Sequence, residues 1–304
     1  MTSAEWQIKK SQIEAVYGPW MSYEPGFDGS VFALKPKEAK EGYQVLESIY
    51  LARILQIARD FLKKPFQEMR ILDLACMEGL SSFEFALRGA KEVVGIEGRP
   101  PHVLRANAVK EALALNNINF FCDDVRNVNK QKYGAFDLTL CLGIFYHLDN
   151  PDVFSFAEKI FEMTDLVTVI DTHFVFSPKK EIEYKGIKYY GNFVSEECSI
   201  PKEMRLDHGF EFSLDNLRSF WFTKHSFFNV LMNAGFRSIY ECAVPRGGKR
   251  QMLDDRVTAI VLKNPFEKLM TFIDPGEKRI ENFEEKNDYR SLLVSPRHID
   301  ADKQ

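Results

Sequence analysis

The residues of this chain best placed to do chemistry are acids at the ends of two successive apolar runs and histidines beside the ends of two later ones. Asp73 lies within Arg70-Ile71-Leu72-Asp73-Leu74, followed by Ala75, Cys76, Met77, Glu78 and Gly79. A second run, Glu92-Val93-Val94-Gly95-Ile96, ends in Glu97. Strand, tight turn of small residues, helix and a second strand ending in an acid describe a nucleoside-binding crossover, with the second acid placed to accept hydrogen bonds from ribose hydroxyls. The glycines do not follow G-x-G-x-x-G, so a pyrophosphate cradle is poorly supported and a nucleoside without phosphate fits better. Further along, Tyr146-His147 follows one apolar run, and Asp171 and His173 end another. Imidazole can take a proton near neutral pH, although a lone histidine more often serves structure. His208 and His225 are weaker candidates on that ground.

These groups need a scaffold, and the hydrophobic pattern describes one. Apolar strands at 70–75, 92–96, 118–122, 136–142 and 166–170 alternate with helices at 80–88, 101–115 and 151–161. The second of these helices is opened by Pro100 and Pro101, which suit a first turn. Such alternation implies parallel strands, right-handed crossovers and a ligand cleft at the carboxyl ends of the strands. Period-two alternation around Lys185-Gly186 predicts a hairpin. A helix at 223–234 ends on Gly235, and strands at 236–243 and 256–262 form a closing antiparallel pair. Upstream lie a short helix near 5–15, a Gly/Pro-rich aromatic segment at 17–27 and a helix at 44–62. The fold class is therefore α/β: a Rossmann-like seven-stranded sheet, mostly parallel with an antiparallel last strand, carrying an N-terminal helical extension and a β-hairpin insertion. The organisation is 1–66 as extension and substrate lid, 67–264 as the core domain with an insertion at about 178–214, and 265–304 as a tail.

Composition narrows the class. With 304 residues, 45% of them hydrophobic, the chain can bury a full core. A net charge of −4 argues against an obligatory polyanion binder. Five cysteines without C-x-x-C or Cys/His ligand spacing point to a reducing compartment and to no metal site. No signal core or membrane-length apolar stretch is present, so a cytoplasmic location is expected. Nothing fixes an oligomeric state.

Four segments, in order, resemble the class I S-adenosylmethionine (SAM)-dependent methyltransferases: Leu72-Asp73-Leu74-Ala75-Cys76-Met77-Glu78-Gly79, Gly95-Ile96-Glu97-Gly98-Arg99, Cys122-Asp123-Asp124-Val125, and Leu142-Gly143-Ile144-Phe145-Tyr146-His147-Leu148-Asp149-Asn150-Pro151. The resemblance covers roughly 68–263. It implies SAM as cofactor, with a binding set of Asp73, Ala75, Glu78, Gly79, Glu97, Gly98, Asp124, Val125, Leu142 and Gly143. Glu97 would take the ribose hydroxyls, Asp124 (in preference to Asp123) the adenine amino group, the Val125 N–H a ring nitrogen, and Leu142 and Gly143 the methionine portion. One departure stands out: the family usually has glycines where Ala75 and Met77 stand. The loop is therefore expected in an ordinary backbone region, with Met77 packed aside.

Methyl transfer from a sulfonium to an O–H or N–H acceptor needs positioning and a proton acceptor. His147, His173 and Asp171 are the catalytic candidates. Trp20, Tyr23, Tyr146, Tyr190, Glu197 and Trp221 are the substrate candidates, with Tyr184, Tyr189 and Glu196 nearby; an aromatic run such as Phe220-Trp221-Phe222 is more often core. The leading expectation is methylation of oxygen or nitrogen in a small-molecule substrate. Similarity of the Gly95–Arg99 and Gly143–Pro151 segments to tRNA wobble-uridine carboxymethyl-transfer enzymes makes a nucleic acid the less favoured partner. Those enzymes require a cation near the methyl. Lys179, Lys180, Lys185, Lys188, Arg246, Lys249 and Arg250 could touch phosphate, but acids interleave them. A non-catalytic SAM-binding protein is a third reading.

Overall fold

The computed structural model describes residues 1–35, 43–196, 212–242 and 255–263, with Ile200, Met204 and Leu206 besides. Glu197, His208, Arg246, Lys249, Arg250 and the tail lie outside the described residues.

The chain opens with α1 (Ser3–Tyr17), started by a reciprocal cap in which Thr2 and Glu5 satisfy each other's backbone N–H groups. A hairpin follows, β1 (Glu24–Asp28) with β2 (Val31–Lys35), and then α2 (Tyr43–Leu62). The hairpin is hidden in the sequence by Pro25, Gly26 and Gly29, which read as irregular chain. Next come β3 (Arg70–Leu74), α3 (Leu80–Leu87), β4 (Glu92–Glu97), α4 (Pro100–Ala112), β5 (Ile118–Cys122), α5 (Lys130–Tyr133), β6 (Phe136–Leu142), α6 (Asp152–Met163) and β7 (Thr164–His173). After the insertion strands β8 (Lys180–Tyr184), β9 (Ile187–Ser195) and β10 (Arg218–Phe222), α7 (Lys224–Ala234), β11 (Ser238–Glu241) and β12 (Arg256–Leu262) finish the described fold.

The main sheet has seven strands in the order β11-β12-β7-β6-β3-β4-β5. β5, β4, β3, β6 and β7 pair in parallel, and β12 enters antiparallel between β7 and β11. Strand order reverses between β3 and β6, and the crevice outside the carboxyl ends of strands at such a point is where ligands bind in open α/β sheets. One face is covered by α1, α2, α3 and α4 through residues such as Trp6, Ile54, Phe83 and Val109. The other is covered by α6, α7 and the insertion, through Phe154, Phe156, Phe227, Tyr189 and Phe220.

The insertion is a three-stranded antiparallel sheet in the order β10-β9-β8, one strand more than the expected hairpin. Phe220 and Phe222 of β10 are buried in the core while Trp221 between them is half-buried, the period-two alternation of a strand with one face inward. β10 is tied to the main domain by the Phe220 N–H donating to Leu148 O at 2.9 Å and the Val175 N–H donating to Phe222 O at 2.8 Å. The end of β10 thereby runs alongside the Tyr146-His147 turn.

Candidate active site

The loop between β3 and α3 is built against expectation. Ala75 and Met77 take φ values of 53° and 50°, and Gly79 takes 82°. Left-handed backbone costs a non-glycine residue about 1–2 kcal/mol, so the ordinary backbone region expected for Met77 is corrected. Three hydrogen bonds offset that cost: Cys76 N–H to Ile96 O at 3.0 Å, Met77 N–H to Glu97 Oε2 at 3.0 Å, and Gly79 N–H to Cys76 O at 2.9 Å. The Met77 side chain is 37% exposed and does not fill the loop. Gly79 has a further reason to be glycine, because a Cβ there would stand 2.6 Å from the Phe120 ring.

Glu97 sits at the tip of β4, buried, with its Oε1 accepting from the Arg99 N–H at 2.9 Å. Each carboxylate oxygen thus holds one backbone N–H and keeps a lone pair for a hydroxyl donor. Asp73 is also buried; the Ser82 hydroxyl donates to its Oδ2 at 2.6 Å. Burial, with Glu97 nearby and against the Ser82 bond, pushes its carboxyl up to about 7. At the tip of β5, both Asp124 oxygens receive the Arg126 guanidinium, with Nη2 to Oδ2 at 2.5 Å. Asp123 instead takes Lys132 and Tyr133. Gly143, after Leu142 at the tip of β6, has φ 98°. A Cβ there would meet Arg256 Nη2 at 3.6 Å and the Tyr146 hydroxyl at 3.8 Å.

Three members of the expected sets belong to the core instead. Glu78, expected at the cofactor, is fully buried; its carboxylate accepts from Met21 N–H and Ser22 N–H at 2.9 Å, and Arg105 Nη1 lies 3.3 Å away. Arg105 also donates to Tyr17 O and Gly18 O, at 2.5 and 2.9 Å. Trp20 and Tyr23, expected on the substrate wall, have 0% and 1% exposure, and the Tyr23 hydroxyl donates to Glu78 O. The extension is pinned to the back of the β3–α3 loop by this buried network.

The expected catalytic residues do gather. Tyr146 packs on His147 with ring centroids 4.2 Å apart, and edge-on against His173 at 4.7 Å. Trp221 stacks on His173 at 4.8 Å and meets Tyr146 at 5.7 Å. Burial and the Arg256 charge lower the basicity of His173. Burial raises the Tyr146 phenol, so it stays protonated at neutral pH. His147 Nδ1 lies 3.0 and 3.1 Å from the two Glu196 oxygens, and Glu196 is buried. Asp171 is buried within β7, where Arg256 and Thr258 of β12 both donate to it. Tyr190 lies on β9 opposite Glu181 of β8, its backbone N–H donating to the Ser226 hydroxyl at 2.8 Å.

Arg256 had no role assigned from sequence, and Glu196 was expected only among the acids near the substrate candidates, not as the partner of His147. A signal for the first was present: Arg256 and Thr258 are spaced by two in an otherwise apolar strand, so they share a face with little else polar on it. The Glu196 pairing spans 49 residues and leaves no local trace.

The strand order and the acids at the tips define a class I methyltransferase fold. Residues 71–165 match the family described as a methyltransferase domain. Among solved structures, the N-terminal domain of EvdMO1 with S-adenosylhomocysteine (SAH) bound is 23% identical, with a TM-score of 0.63 over 86% of this chain and 96% of that one. The same domain in the presence of SAH and D-fucose gives 20% identity and a TM-score of 0.62 over the same shares. Whole EvdMO1 gives 20% identity and a TM-score of 0.52 over 85% of this chain and 46% of that one. No curated protein matches the chain. Residues 71–165 thus carry a methyltransferase domain, on a fold shared with a domain crystallised with SAH bound. No helix among the described residues is long and apolar enough to cross a membrane.

Proposed function

We propose that this enzyme methylates an oxygen or nitrogen of a small metabolite, with His147 as the proton acceptor. The observation that carries this reading is the His147 Nδ1 contact with the buried Glu196 carboxylate. An Nδ1–H donated to Glu196 leaves the Nε2 lone pair to take a proton, and the carboxylate stabilises the imidazolium that forms. SAM, when bound, supplies an activated methyl group on a sulfonium.

The donor set fits that cofactor. Glu97 has one free lone pair on each oxygen for the two ribose hydroxyls, and charge-assisted bonds of this kind are strong. Gly98 flanks it. The backbone at Ala75 and Gly79 lines the cofactor's side, with Asp73 ordering the loop. Asp124 and the Val125 N–H hold the adenine edge, and Leu142 and Gly143 the methionine end. Tyr146, His173 and Trp221 form an aromatic wall against which a ring or polyol can pack, and Tyr146 offers a hydroxyl donor beside Gly143.

A hydroxylated acceptor is favoured because the EvdMO1 domain of similar fold was crystallised in the presence of D-fucose. A nucleic acid is disfavoured because Lys185 and Lys188 are each paired with an acid, Glu158 and Glu181. The cysteines described are free thiols, which suits a reducing, cytoplasmic location.

The test is methyl transfer from labelled SAM to a panel of sugars and small alcohols and amines, with transfer RNA at low salt as the contrast. Turnover on a small acceptor, lost in His147→Ala while SAH affinity is kept, supports the reading. Labelling of RNA alone, or full turnover by His147→Ala, would overturn it.

A further inference from the structure

The segment 212–216 touches the tips of three strands of the main sheet. Arg99, just past β4, donates from Nη2 to Phe212 O at 2.5 Å. The Leu214 side chain lies against Gly98, so close that a Cβ on Gly98 would stand 2.5 Å from Cδ1. Asp215 pairs with Arg126 beyond β5 at 2.8 Å, the same guanidinium that Asp124 holds. Asn216 donates from Nδ2 to His147 O, beyond β6, at 2.7 Å. Within the segment, the Ser213 hydroxyl donates to Asn216 O at 2.7 Å, closing a compact turn.

The same turn grips Glu196. The Ser213 N–H donates to Glu196 Oε2 at 3.1 Å, and the Glu196 N–H donates to Leu217 O at 2.9 Å. Glu196 is therefore fixed between the end of β9 and the start of β10 while its carboxylate reaches His147. Neutral imidazole has two tautomers, and which nitrogen carries the proton is set by the hydrogen bond the other partner offers. A carboxylate can only accept, so its position beside Nδ1 selects the Nδ1–H form. Among the described residues, Nε2 makes no hydrogen bond.

We propose that Glu196 is a positioning residue that sets the tautomer of His147, and that the 212–216 turn holds Glu196 in place, so that the proton acceptor is assembled by the insertion rather than by the main sheet alone. Gly98 and Arg99, which the turn also contacts, flank the acid assigned to the ribose. The base is thereby coupled through one turn to the nucleoside end of the cleft. This inference rests on the reading of His147 as proton acceptor.

The test uses the full chain labelled with 15N-histidine and saturated with SAH, with long-range 15N–1H spectra reading the tautomer. The His147 signals are identified by their loss in His147→Gln. The wild type is expected to show the Nδ1–H form. Glu196→Ala should shift it to the Nε2–H form or a mixture, and Asn216→Ala, which releases the turn from His147, should shift it in the same direction by less. An Nε2–H wild type, or an Nδ1–H signal unchanged in both variants, overturns the proposal. If Glu196→Ala does not fold, the wild-type tautomer and Asn216→Ala decide alone. Failure of the proton-acceptor reading is distinguished by turnover: His147→Ala at full activity removes that reading whatever the tautomer shows.

Discussion

Glu97 and Met77 are joined across 20 residues of chain, the Met77 N–H donating to Glu97 Oε2 at 3.0 Å and so holding a methionine at φ 50°. The acid assigned to the ribose is also the acid that shapes the loop beside it. Replacing Glu97 with alanine should weaken SAH binding by about 1.5–3 kcal/mol, the usual worth of a hydrogen bond to a charged group. Titration calorimetry measures it. An unchanged Kd would remove Glu97 from the ribose.

Met77 should accept glycine. Met77→Gly relieves a left-handed cost of about 1–2 kcal/mol, and adds an unfolded-state entropy cost of about 0.5–1 kcal/mol. Urea unfolding should find the variant as stable as the parent or slightly more so, with SAH affinity retained. A loss beyond about 1 kcal/mol would mean that the half-exposed side chain packs on something that matters.

Asp73 makes a pH-dependent contribution whose sign is unusual for an aspartate. Its carboxyl is raised from 3.8 to about 7, so between those values the folded protein binds the proton that the unfolded chain has released. Stability contributed by this group therefore falls as pH rises through that window, by up to about 1.4 kcal/mol per pH unit, and the penalty is complete above it. Asp73→Asn keeps an acceptor for Ser82 and removes the ionisation. Its Tm relative to the wild type should climb between pH 5 and pH 8; a constant difference across that range would contradict the assignment.

Arg105→Ala should cost about 3–5 kcal/mol in denaturant unfolding, because it leaves the buried Glu78 carboxylate without its cation. The double variant Glu78→Gln, Arg105→Met should recover much of that loss. Equal destabilisation by the single and double variants would show that packing, not charge, dominates at this point.

The main sheet was legible because its strands are short apolar runs alternating with helical patterns, and because Asp73, Glu97 and Asp123-Asp124 sit where strands end. The insertion was half legible. Its hairpin announces itself through alternation around Lys185-Gly186, whereas β10 was obscured because Phe220-Trp221-Phe222 is apolar on both faces and gives no period. Trp20 and Tyr23 misled for a related reason. Aromatic residues among glycines and prolines look exposed from sequence, and only distant contacts explain why they are buried: the Tyr23 hydroxyl on Glu78 O, and Trp20 against Trp6 and Arg105. Pairings across tens of residues, such as His147 with Glu196 and Asp171 with Arg256, depend on topology that no local window contains.

The buried meeting of Glu78 with Met21, Ser22 and Arg105 means that the first two dozen residues cannot be treated as an interchangeable cassette. Grafting a different N-terminal segment onto 67–264 would strand a carboxylate in a dry interior directly behind the β3–α3 turn. Any replacement of this segment has to carry its own donors for Glu78, or move Glu78 with it.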